Sequence, residues 1–109
     1  MKRSDVIVMV APGDLGKPRP AIIVQADDLG STTTTVLVCP LSSDVTADDP
    51  LRPVIKPTAE NGLRVKSQMM TDKLVALRRD RARAVIGHVD ESTRGALDRA
   101  LLVVLGLAR

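Results

Sequence analysis

An arginine set between two prolines, Pro18-Arg19-Pro20, is the residue of this chain best prepared for chemistry. Pro18 has its own φ locked, and Pro20 keeps Arg19 out of the helical region. The guanidinium therefore starts from a stiff backbone, and its planar fork matches the oxygens of a phosphate. An arginine held this way loses little freedom on meeting an anion. It suits a site that stabilises the charge of a phosphoryl-transfer transition state. Gly13-Asp14-Leu15-Gly16 lies before it, with Lys17 between, and the apolar run Ala21-Ile22-Ile23-Val24 follows. The segment reads as a flexible turn that delivers the arginine to the mouth of a strand.

Other polar residues are candidates of a second rank. Ser42 and Ser43 follow Val38-Cys39-Pro40-Leu41, at the end of an extended run. A strand end is a common place for an active-site hydroxyl, but from these residues alone a serine turn or cap is the stronger reading. Arg78, Arg79, Arg81 and Arg83 form the densest basic patch. They read either as a phosphate track or as a solvated hairpin tip that discourages strand addition. Gln68 is an amide in a segment that otherwise turns apolar at Met69-Met70. If buried it needs a partner, and it either orients a neighbour or reads a base edge. His88, the one histidine, ends the run Ala84-Val85-Ile86-Gly87, where a structural role is the expectation. With one histidine, a two-histidine acid–base pair is excluded. Cys39 reads as a small buried hydrophobe.

The elements that must position these residues are mostly short strands. Val6 to Val10, Ala21 to Gln25, Thr32 to Cys39, Leu51 to Lys56 and Leu63 to Met70 carry strand signals, as do Lys73 to Leu77 and Ala84 to Val89. Pro53 places the fourth of these at an edge. Asp27 to Ser31 and Glu60-Asn61-Gly62 are turn signals, the latter a hairpin turn. Ser42 to Pro50 is a polar loop whose aspartates lack the spacing of a metal site. From Asp90 the period changes. Leu97, Leu101, Val104 and Leu105 share a helical face, Asp90 or Ser92 caps its start, and Gly106 ends it. Leu102 and Val103 fall off that face and suggest a dimer surface. Short strands followed by one helix predict a small, strongly bent barrel with the helix packed on it.

Composition narrows the function classes. At 109 residues the expectation is one domain spanning 1–109. Aromatic residues make up 0%, so the core is aliphatic and no base can stack on Phe, Tyr or Trp. RNA recognition would have to rest on hydrogen bonds and on Arg or Lys. The formal net charge of +3 suits an anionic partner. The single cysteine excludes an internal disulfide and fits a cytoplasmic protein. No apolar run reaches signal-peptide or transmembrane length, so no membrane association is expected.

In order along the chain, these pieces resemble the MazF/PemK (Kid) toxins of type II toxin–antitoxin systems. Asp5-Val6-Ile7-Val8 is similar to the family's opening strand. Lys17-Pro18-Arg19-Pro20-Ala21-Ile22-Ile23-Val24 resembles its Arg-Pro-Ala signature, and Val38-Cys39-Pro40-Leu41-Ser42-Ser43 its Val-x-Pro-x-Thr/Ser segment. Ser67-Gln68 and Ile86-Gly87-His88-Val89 fall where the family has Asp-Gln and its closing strand. The resemblance implies a mainly β fold, an SH3-like small barrel with a C-terminal helix of the CcdB/PemK kind. It implies a homodimer that cuts single-stranded RNA without metal or cofactor, by attack of a ribose 2′-oxygen that leaves a 2′,3′-cyclic phosphate. By carry-over, Arg19 and Ser42 are catalytic, and Lys17, Ser43, Gln68, Arg78 and Arg79 bind RNA. A cognate antitoxin with an acidic disordered segment is the implied partner.

The sequence departs from the pattern at Ser67, which replaces the Asp proposed as base in the Kid branch, and at Val65, which stands where that branch has an Arg. The general base is thereby left unassigned, with Asp14 as a candidate substitute. Two other functions compete on the same fold. A gyrase-binding toxin of the CcdB kind relies on a Trp near the C-terminus, and this chain has none. A degenerate toxin that keeps only antitoxin binding is kept in play by Ser67.

Overall fold

The structure is a computed structural model that describes residues 1–10, 13, 16–29, 32–46 and 49–108. Along the chain run β1 (Asp5–Met9), β2 (Arg19–Ile23), β3 (Thr35–Ser42), β4 (Val54–Ile55), β5 (Ser67–Met69), β6 (Val75–Arg78), β7 (Ala82–His88) and α1 (Glu91–Val104). The strands form one antiparallel sheet in the order β4-β5-β3-β2-β1-β7, and β6 also pairs with β3. β3 is thus shared by three neighbours. Its Thr35–Val38 end pairs with β6 and its Leu41–Ser42 end with β5. The changeover falls at Cys39-Pro40, and Pro40 has no N–H to leave unpaired there. This is how a proline sits inside a central strand.

The strands at the centre are apolar on both faces, because each face has its own core. Side chains alternate across a strand. Val6, Ile22, Cys39 and Leu41 pack with Met69 and with Leu97 and Leu101 of α1. Their neighbours Ile7, Ala21, Ile23 and Val38 turn the other way and pack with Met9 and Leu77. Burying a Leu or Ile side chain in this way contributes about 1.5–3 kcal/mol. Two small aliphatic cores therefore replace the aromatic core the composition forbids.

The loop between β4 and β5 folds across the sheet onto β7 and closes the curl. Asn61, buried, is its brace: its Oδ1 accepts from the N–H groups of Thr58 and Leu63 at 3.0 and 2.9 Å, and its Nδ2 donates to Lys56 O at 2.9 Å. Glu60 O accepts from His88 N–H at 2.8 Å. The approach is so close that a Cβ on Gly87 would lie 2.2 Å from Glu60 O, and one on Gly62 (φ +70°) would lie 2.2 Å from Ile86 O. Only glycines permit it.

α1 begins at the cap the sequence offered. Asp90 accepts from Thr93 N–H at 2.7 Å, which holds its carboxyl below the usual carboxylate range. Gly106, at φ +72°, follows the helix end, and the N–H of Leu107 reaches Leu102 O at 2.8 Å. Arg3 joins the helix to the sheet, donating to Val24 O at 3.1 Å and pairing with Asp98 at 2.7 Å.

Several boundaries differ from expectation. β2 begins at Arg19, not Ala21, and β3 runs on through Pro40 to Ser42 instead of ending at Cys39. β4 and β5 are far shorter than Leu51–Lys56 and Leu63–Met70, because only two or three residues of each find a ladder partner. Glu60-Asn61-Gly62 does turn the chain, but inside a long folded loop, not a hairpin turn. β4 does lie at an edge of the sheet. Asp27–Leu29 is a short 3₁₀ turn, and Gly30 and Ser31 lie outside the described residues. On the helix, Leu97 and Leu101 are buried as the period required, but Leu105 is 55% exposed beyond the last turn. Leu102 and Val103 are exposed, as their position off the main face implied.

Candidate active site

Arg19 opens β2 opposite Met9 of β1. The β2–β3 register pairs Ala21 with Pro40. Ser42 lies two residues beyond Pro40 on β3, at the same end of the sheet as Arg19 on β2, and is paired in turn with Gln68 of β5. The three residues therefore lie in a row along one end of the sheet, from β2 through β3 to β5. The prolines that stiffen Arg19 thus set it at a strand end, not in a loop, and the strand's own ladder adds to its rigidity.

A cleft of about 470 Å³ opens at the Arg19 end of this row; Ser42 and Gln68 are not among the residues that line it. Pro18, Arg19 and Pro20 line one part of it, and Leu63, Arg64, Val65 and Ser67 another. Val8 and Ile86 complete it from β1 and β7. Two guanidiniums therefore share one apolar-walled cleft. Arg64 was not singled out from the sequence. It sits in Leu63-Arg64-Val65-Lys66, whose alternation imitates a strand with its polar side in water. The structure shows a bend there instead, carried to the cleft by the braced loop.

The hydroxyls divide clearly. Ser42, half-buried, accepts from Asp44 N–H through its Oγ at 3.1 Å. That bond fixes the oxygen and leaves the O–H proton available to donate. Ser67 is only 2% exposed, and its hydroxyl donates to Val65 O at 3.1 Å. A serine committed to its own backbone does not take over the work of a carboxylate base. Asp14, the candidate substitute base, lies outside the described residues.

Gln68 is 1% exposed and its amide is committed inside the protein. Oε1 accepts from Thr46 N–H at 3.2 Å, and Nε2 donates to Arg52 O at 3.2 Å. It has no edge left to present to a base, so of its two sequence readings the orienting one fits the geometry. Lys17 and Ser43 are exposed, one before Arg19 and one after Ser42.

Arg78 and Arg79 stand elsewhere. Arg78 pairs with Thr35, at the far end of β3 from Ser42. From Thr35 to Ser42 the strand spans on the order of 23 Å at about 3.3 Å per residue. Arg78 is ion-paired with Asp80 at 2.7 Å, and Arg79 donates to Thr33 O at 2.8 Å. Within one chain these two do not join the Arg19 cleft.

Cys39 and His88 supply no nucleophile or base to the cleft. Burial, with Asp72 adding to it, pushes the Cys39 thiol up to about 12, so it stays protonated at neutral pH. His88 pairs with Asp5 on the β7 edge. Among the described residues no three His, Cys, Asp or Glu side chains gather as metal ligands. No helix among them is long and apolar enough to cross a membrane.

Comparison with known proteins gives the geometry its context. Residues 2–105 match the family model described as PemK-like, MazF-like toxin of type II toxin–antitoxin system. A probable endoribonuclease MazF from Mycolicibacterium smegmatis is 38% identical over 109 residues, which cover 99% of each chain. Among solved structures, an endoribonuclease in complex with its cognate antitoxin from a mycobacterial species superposes with a TM-score of 0.82 at 20% identity, covering 100% of this chain and 98% of the other. The Mycobacterium tuberculosis toxin MazF-mt6 gives a TM-score of 0.79 at 20% identity over 94% and 96% of the two chains. MazF from Deinococcus radiodurans gives 0.75 at 16% identity over 97% and 96%.

Proposed function

Because this chain belongs to the PemK-like, MazF-like family of type II toxin–antitoxin toxins, and is an endoribonuclease of that kind, we propose that it cuts single-stranded RNA in the Arg19 cleft. The observation that carries this is the placement of Arg19. It stands at the stiff start of β2, in a cleft that Arg64 also lines, and at the same end of the sheet as a serine whose proton is free to donate.

In the proposed reaction, the ribose 2′-oxygen attacks the adjacent phosphorus and the P–O5′ bond breaks, its electron pair passing to O5′. The 2′-hydroxyl proton leaves to an acceptor and O5′ gains one. The products are a 2′,3′-cyclic phosphate and a 5′-hydroxyl end. Arg19 holds the non-bridging oxygens as their charge grows, a role that suits a group that does not deprotonate in proteins. Ser42 donates to a phosphate oxygen. Arg64 holds the strand by its backbone charge, with Lys17 and Ser43 beside the same row. The acceptor of the 2′ proton is water or a carboxylate, and Asp14 is the carboxylate nearest Arg19 in sequence.

We infer the remaining partners from the family. The toxin works as a homodimer in the cytoplasm, cutting mRNA and arresting growth. An antitoxin's acidic disordered segment folds over the basic cleft and blocks it. The degenerate-toxin reading draws on Ser67, and one experiment separates the two. Purified protein is incubated with single-stranded RNA and the new ends are mapped. Cyclic-phosphate ends are expected, with at least about a hundredfold loss for Arg19→Ala. Intact RNA after incubation with the folded wild type would leave only the antitoxin-binding role.

A further inference from the structure

The loop that follows Ser42 is closed by one buried side chain. Gln68 reaches across it, taking the N–H of Thr46 on Oε1 and giving Nε2 to Arg52 O, both at 3.2 Å. Its backbone meanwhile pairs with Ser42 itself. Neighbouring groups fasten the far side of the loop. Thr71 donates its hydroxyl to Leu51 O, Met69 N–H reaches Pro53 O at 2.9 Å, and Arg52 pairs with Asp72 through two bonds of 3.0 Å. That side is held several times over. The near side, from Ser42 to Thr46, is held by two bonds alone among the described residues: Asp44 N–H to Ser42 Oγ, and Thr46 N–H to Gln68 Oε1.

These two bonds act in series. The Asp44 N–H faces the Ser42 hydroxyl only while the chain just beyond it stays in place, and Gln68 fixes that chain two residues on. A buried amide left without its partners is expensive, so Gln68 enforces the loop position strongly. We propose that Gln68 is a positioning residue of the active site: it sets the Ser42 hydroxyl through the Ser42–Asp44 turn and does not touch RNA. The inference rests on the ribonuclease reading and on Ser42's part in it.

A four-protein cycle tests it: wild type, Gln68→Met, Ser42→Ala and the double variant. Met keeps the volume and the apolar packing while removing both polar bonds. RNA cleavage rates and thermal midpoints are measured for all four. Gln68→Met is expected to lower kcat about tenfold with little change in KM, as a displaced catalytic group does. In the Ser42→Ala background the same change is expected to leave kcat where it was, while lowering the thermal midpoint equally in both backgrounds. A merely structural residue would lower kcat by the same factor in both, and that result overturns the proposal. So does an unchanged kcat in Gln68→Met, or full activity in Ser42→Ala. Folded wild-type protein that cuts no RNA instead overturns the ribonuclease reading on which the proposal stands.

Discussion

Arg19 and Arg64 reach the same cleft by different means, and their expected contributions differ accordingly. Arg19 is held by two prolines and a strand ladder, so its backbone is fixed before substrate arrives. Arg64 is exposed on a bend, and no hydrogen bond or ion pair among the described residues ties its side chain down. A guanidinium on a rigid backbone is suited to the transition state, whereas an exposed one on a bend supplies charge to the RNA strand. Arg64→Ala is therefore expected to weaken binding of an uncleavable single-stranded oligonucleotide about tenfold while sparing kcat, and to reduce the salt slope of log K by about 0.7. Affinity titrations from low to moderate salt check this. An unchanged slope would mean that Arg64 makes no phosphate contact. The sequence displayed Arg19 openly, because proline constrains its neighbours wherever it stands. It hid Arg64 inside a false strand alternation. It pointed to Gln68 as an amide in need of a partner, but burial at 1% is a tertiary fact that no local pattern carries.

At the level of elements, the strands that bear Arg19 and Ser42 were legible because β1, β2 and β3 each carry a run of Val, Ile or Leu. Their ends were not. Val54–Ile55 is a strand only where β5 lies beside it, and the register that sets Ser42 against Gln68 arises from pairings distant in sequence. The folded loop on β7 was likewise beyond local reasoning. Its signal was two glycines far apart, Gly62 and Gly87, whose shared reason is one contact. Gly87→Ala places a methyl group 2.2 Å from Glu60 O. Either the loop lifts or β7 bends, and a loss of about 1–3 kcal/mol in stability is expected. Because the loop also delivers Arg64, KM for RNA should rise with it. A melting curve and a kinetic assay of the same variant test both, and a variant as stable as wild type would show that the loop is free to move away.

For the whole molecule, the apolar surface not used by the core is unevenly spread. The C-terminal end of α1 and the residues after it expose Leu102, Val103, Leu105 and Leu107 together. The toxin is expected to run as a dimer in light scattering, and Leu102→Asp combined with Val103→Asp to shift it toward monomer without unfolding it. A variant that stays dimeric would move the interface to another face. The sheet edges at β4 and β7 are also unequal. β4 is two residues long between Pro53 and Pro57, while β7 runs seven residues and relies on the folded loop for cover. That cover is made largely of main-chain atoms. Glu60 O, Gly87 and the backbone of Ile86 fit together whatever side chains follow on the loop. Arg64 and Val65, both exposed, are therefore uncoupled from the means by which the loop is held, whereas Leu63 packs against the core. Replacing Arg64 or Val65 changes the wall offered to a passing base while the scaffold stays as it is. A toxin built this way is open to a change of cut-site preference by point substitution, with no new fold to be found.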